Sequence, residues 1–170
     1  MAKMVLNKFD VACSQLDTAI LLWFSEGDPV SIHTLACSAY QIIDDINHRN
    51  RGKELIYDSL VIKDEYRREY IAKIKADYNF FKHADKDAND NICFEPDNTP
   101  YFFLFSCLGL EMFGIKHKLP RMAFLAYFAL LKPELLTEKG KNDYEIVEYD
   151  RSQILSNSKK EVYSNYCLAR

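Results

Sequence analysis

Phe9, Cys13, Leu16, Ile20 and Trp23 recur at steps of three and four residues, and Gly27-Asp28-Pro29 follows at once. The steps put one apolar stripe on a helix from about Asn7 to Phe24. Gly27 is expected to close that helix as its C-terminal cap. Asp28 can then cap a second helix, and Pro29 suits its first turn, where the missing N–H has no helical partner and φ is already set. So short a break folds the two helices back on each other as an antiparallel hairpin. A chain committed to that unit has to bury its remaining apolar faces helix against helix.

The later segments fit this frame. The second helix turns Ile32, Leu35, Ala36, Ala39, Ile43 and Ile46 inward and ends in His48-Arg49-Asn50-Arg51-Gly52, where cations meet the exposed carbonyls. Lys53 to Lys63 shows no period and reads as a connection. From Asp64 a third helix carries Tyr70, Ile71, Ile74, Tyr78 and Phe81 on one stripe and Ala72, Ala76, Asn79 and His83 on the next. Asp85 to Thr99 is rich in Asp and Asn and reads as a loop, with Thr99-Pro100 as cap and first turn of a fourth helix. That helix, Tyr101 to Phe113, is apolar nearly all round, which makes it central. A fifth runs from Pro120 to Leu131 and stops before Pro133. The expectation is an all-α, single-domain bundle of five to six helices around a central apolar helix, spanning residues 1–138. Residues 139–170 form a polar segment docked on it through Tyr144, Ile146, Val147 and Tyr149.

At 170 residues and 48% hydrophobic content the chain can fill one core but not two. Its 25 acidic and 22 basic residues are interspersed and leave a net charge of −3, so no global field draws in nucleic acid or an anionic membrane. The five cysteines are odd in number, widely spaced and without a C-x-x-C pair, which suits free thiols in a reducing compartment rather than a disulfide scaffold or zinc site. The first residues lack the layout of a signal peptide, and a cytoplasmic location is expected. Gly114, Lys116, Lys118, Pro120 and Arg121 break the most apolar region into pieces shorter than the roughly 20 residues of a membrane span. No phosphate-binding glycine loop, nucleophile elbow or dinucleotide fingerprint occurs, so no cofactor is expected.

Four arrangements could carry chemistry. Asn79 and His83 stand one helical turn apart, so an imidazole able to move protons shares a face with an amide able to orient a substrate. The plainer reading is a helix end, where His and Lys favour the macrodipole. Asp85, Asp87 and Asn89 resemble the opening of a calcium loop, but Asp90 stands where the sharp turn needs Gly and Pro96 where the bidentate Glu belongs. His33, Cys37, Tyr40, Asp44 and His48 line one edge of the second helix, as a ligand or partner face or as satisfied boundary groups. Asp85 and Asp87 extend that candidate face, and no metal set is assigned. Glu111, at the end of the apolar fourth helix, needs a partner such as His83, Lys116 or a basic residue of another helix.

The Asn79–His83 spacing resembles the motif of the HEPN superfamily of helical bundles, in which Arg, a polar residue that is often Asn, three variable residues and His lie near a helix end. Tyr78 occupies the Arg position here. The strings from Asp28 to Ala36 and from Asn79 to Asp87 also look like those of a small uncharacterised bacterial family. In RNA-cleaving members of the superfamily the Arg and His act without metal, usually across a dimer, while other members have lost the motif and serve as binding modules. The resemblance, with its cation missing at Tyr78, implies a non-catalytic HEPN-like module that binds a partner or small ligand, with a homodimer or another protein as partner. A metal-independent ribonuclease using His83 and Asn79, with RNA as partner, is the second reading. A metal-binding bundle built on His33, Asp44, His48 or His83 is the third.

Overall fold

A computed structural model describes residues 3–52, 76–83, 85, 88–135 and 148–169. The protein is all-α, and no strand occurs among the described residues. Helix α1 (Lys8–Phe24) opens with a reciprocal cap: Asn7 Oδ1 accepts from the Asp10 amide at 2.9 Å, and Asp10 Oδ2 accepts from the Asn7 amide at 3.0 Å. Helix α2 (Pro29–Arg49) opens as its sequence predicts, with Asp28 accepting from the Ser31 amide at 2.8 Å and Pro29 in the first turn. These two helices form the hairpin and share the most extensive contact among the described residues.

The end of α1 differs from expectation. Glu26 rather than Gly27 takes the left-handed conformation, with φ of 55°. The Glu26 amide bonds the Trp23 carbonyl at 3.2 Å and the Gly27 amide bonds the Leu22 carbonyl at 2.9 Å, the paired bonds of a Schellman stop. Arg51 (φ 57°) and Gly52 repeat the device at the end of α2. In both stops Gly sits one residue later than in the commonest form of the motif.

Residues 76–82 are helical (α3); the expected stretch from 64 to 75 and the connection at 53–63 lie outside the described residues. A 3-10 turn, Pro96–Asn98, leads into α4 (Thr99–Met112). Thr99 was expected to cap α4, yet no side-chain cap bond forms there. Its hydroxyl is instead 2.9 Å from His33 Nδ1. Helix α4 packs against α2, α1 and α5 (Leu119–Leu131), and Gly114 (φ 71°) closes it. A second 3-10 turn, Pro133–Leu135, ends α5.

Two more helices, α6 (Glu148–Leu155) and α7 (Lys159–Leu168), fill the end of the chain, and both pack on α5. Of the apolar patch expected at residues 144–149, no side chain is among those described. The contacts that are described use Ile154, Leu155, Val162, Tyr163 and Tyr166.

The core is aromatic. Trp23 meets Phe24, Phe103, Phe124 and Tyr127 edge-on at 5.2 to 6.1 Å, the arrangement that opposite edge and face charges favour. Phe103 and Phe124 are fully buried, each contributing roughly 1.5–3 kcal/mol by leaving water.

Candidate functional site

Five polar or charged sites are candidates for function, and the fold separates them. The first is His33, on the inner face of α2 and 1% exposed. Phe81, Phe94 and Phe102 surround its ring with centroids 5.7, 4.9 and 5.3 Å away. Nδ1 faces Thr99 Oγ1 at 2.9 Å, and Nε2 faces Cys37 Sγ at 3.3 Å, one helical turn along. Burial lowers the His33 pKa to about 4. Burial, with the Asp77 charge second, pushes the Cys37 thiol well up. Both partners are therefore neutral near pH 7, and a thiolate–imidazolium nucleophile does not form here. A thiol donating to Nε2 assigns the ring proton to Nδ1, which donates to Thr99. This is a satisfied polar core that ties α2 to the start of α4.

The second is the end of α3. Asn79 and His83 are both exposed, and the bond between them is the backbone one from the His83 amide to the Asn79 carbonyl, at 3.0 Å. Tyr78 and Lys82 do engage: Lys82 Nζ donates to Tyr78 Oη at 2.7 Å and lies 4.3 Å from its ring centroid. An ammonium thus stands beside the residue that occupies the motif's Arg position.

Along the second helix the remaining edge residues spread apart in environment. Tyr40 is buried against Phe102, Asp44 is 8% exposed, and His48 is exposed with Nε2 3.9 Å from Asp44 Oδ2. Asp85 is exposed and Asp87 lies outside the described residues. His33 is too deep to share a surface with His48, so this edge is not one continuous ligand face. Among the described residues no three His, Cys, Asp or Glu side chains gather as a metal set.

The third and fourth groups escaped sequence reasoning in part. Glu111 finds its partner in His117 of the α4–α5 turn, at 2.8 Å. Arg121 is 1% exposed and its Nε donates to Asp17 Oδ1 at 2.8 Å, across α5 and α1. Desolvation raises the Asp17 pKa despite the opposing Arg121 charge, as expected where burial of both ions outweighs their attraction. Residues 104 apart in sequence give no local signal of such a pair.

The fifth is a cleft beside Trp23, where the turns preceding α2, α4 and α7 meet. Two cavities of about 320 and 490 Å³ open here, and Trp23, Asp97 and Lys159 line both. Lys159 Nζ lies 4.6 Å from the Trp23 ring centroid. A cation over an indole contributes roughly 0.5–1 kcal/mol when partly solvated. Glu26 closes one half, and Tyr101, Tyr127 and Lys132 wall the other. Burial, and then the Glu26 charge, raise the Tyr127 pKa. Both volumes fall in the range of small-molecule sites, with aromatic walls and a few convergent charges. A lone Trp on the stripe of α1 is its one trace in the sequence, and nothing there points to Lys159.

No family model, curated protein or solved structure matches this chain.

Proposed function

We propose that the chain is a non-catalytic, HEPN-like helical module that binds a small ligand or a partner. The Trp23 cleft is the observation that supports it: a concave, aromatic site with charged groups, set where three turns converge. The catalytic candidates form no comparable site: His83 and Asn79 sit on an exposed helix end, and the buried His33 and Cys37 are held neutral. The HEPN-like element of the reading rests on the Asn79–His83 spacing at the end of α3.

Incubation with a labelled mixed RNA pool, with and without EDTA and beside His83→Ala, tests it. Intact RNA in every lane is the expected result. The Lys82–Tyr78 contact supports the ribonuclease as the second reading, since it sets a cation beside the residue at the motif's Arg position. Cleavage that survives EDTA and is lost in both His83→Ala and Lys82→Ala would establish that reading instead. A second copy of the chain is the partner considered first, and light scattering at micromolar concentration checks it: a strict monomer removes the homodimer.

A further inference from the structure

We propose that the Trp23 cleft recognises an organic cation, an ammonium or guanidinium group, and that Lys159 of the chain itself fills that seat until such a ligand arrives. The proposal rests on the reading of the chain as a binding module and names its ligand class. Trp23, Asp97 and Lys159 line both cavities, and the Lys159 ammonium lies over the indole face. Its withdrawal would leave the indole face open to a ligand cation.

The charges favour a cation over an anion. Glu26 and Asp97 both line the cleft, and neither forms an ion pair among the described residues. Of the two lysines, Lys132 faces Glu134 at 4.0 Å and Lys159 lies on the ring. Of the three helix N-termini that meet here, α4 has no side-chain cap, but its Asn98 and Thr99 amides bond the Glu95 and Pro96 carbonyls and Pro100 has no N–H; the other two are capped by side chains. Asp28 caps α2, while Ser158 and Glu161 cap α7 reciprocally. They hold no set of vacant donors for an anion.

Lys159 is itself out of place by local rules. It occupies the first position of α7, followed by Lys160, where the positive end of the macrodipole disfavours cations. A local rule broken at a site is a pointer to function. The Trp23 face and the neighbouring carboxylates explain the position, and the same attraction acts on any alkylammonium or guanidinium that reaches the cleft.

Trp23 is the single tryptophan, so its emission reports the site directly. Tetramethylammonium is titrated as the free small cation, and a short peptide with one trimethyl-lysine as the protein-borne source, with sodium chloride at matched ionic strength and inorganic phosphate as controls. The expected result is a saturable change in Trp23 emission with one or both cations and none with the controls. Lys159→Gln, which removes the resident competitor, should tighten the cation about tenfold, and Asp97→Asn should weaken it by a similar factor. Lys159→Arg, which keeps a resident cation and the fold, should behave as the wild type. A flat response to both cations in wild type and in folded Lys159→Gln, or a response to phosphate alone, overturns the proposal. Preference for the peptide over the free cation identifies a protein side chain as the ligand; the reverse identifies a metabolite. The RNA assay fails or succeeds independently, so His83-dependent cleavage would remove the non-catalytic reading while leaving cation binding to be decided by fluorescence.

Discussion

His33 shows how one side chain records its surroundings. Its pKa in the folded chain is about 4, against about 6.5 when solvated, because the charged ring would lose its water among three Phe rings. The sign follows from which state takes up protons. Below pH 6.5 the unfolded chain protonates His33 while the folded chain does not until near pH 4. The contribution is therefore complete above 6.5 and is lost as pH falls through about 4. Carboxylates titrate in the same window, so the difference from a variant is the useful quantity. His33→Gln retains a polar group for Thr99 and has no titration. Urea midpoints measured from pH 7 to pH 4.5 should fall more steeply in the wild type than in His33→Gln. Parallel curves would mean that His33 protonates in the folded state as readily as in water. The sequence placed His33 on the polar edge of α2, but its partner Thr99 lies 66 residues away, and no local pattern links them.

Helix ends were legible where a side chain does the capping and less so where the backbone does. Asp28-Pro29 identified the start of α2 because the carboxylate and the ring each act within one turn. The α1 helix ends at Phe24 as its sequence predicts, but Glu26, not the expected Gly27, carries the positive φ that closes it. A side chain there is held near the carbonyl that follows, at a cost of roughly 1–2 kcal/mol. Gly114 closes α4 at the corresponding position with φ of 71°, and a Cβ added to it would meet nothing within 4 Å. Any loss on Gly114→Ala thus comes from the backbone alone. Gly114→Ala should lower stability by about 1 kcal/mol and Glu26→Gly should raise it by a similar amount. Thermal or urea unfolding checks both; equal midpoints in all three proteins would show that neither stop is strained. The same Glu26 lines the cleft, so the left-handed residue that closes α1 also sets a carboxylate at the cleft wall.

At the scale of the molecule, periodicity and punctuation were enough for the all-α class, since α1, α2, α4 and α5 each carry their apolar residues at helical spacing. The end of the chain was harder to read, because α7 has no fully buried residue and so leaves only a faint stripe. Its attachment is correspondingly light. Tyr163 stacks on Phe24 at 4.9 Å, Lys159 lies on Trp23, and Arg151 Nε donates to the Leu130 carbonyl at 2.6 Å. A hollow of about 190 Å³ remains between α5 and the α6–α7 pair, lined by Ala126, Leu130, Ile154, Val162 and Tyr166. Side chains lining this open hollow lack close-packed protein neighbours on that side, so this seam is weaker than the close-packed α1–α2 hairpin. Regions with few buried contacts open at lower free energy than the core. Native-state hydrogen exchange should show the α7 amides opening well before those of α1 and α2, whose inner faces carry fully buried Leu16, Ile20, Ala36 and Ile43. If α7 exchanged only with global unfolding, the end of the chain would belong to the same cooperative unit as the hairpin. Early opening has a functional corollary, because Lys159 leaves the Trp23 face whenever the first turn of α7 lifts. A cation held in the cleft would then speed α7 exchange while slowing that of the α1 amides near Trp23, a pair of opposite shifts that no uniform stabilisation of the fold would produce.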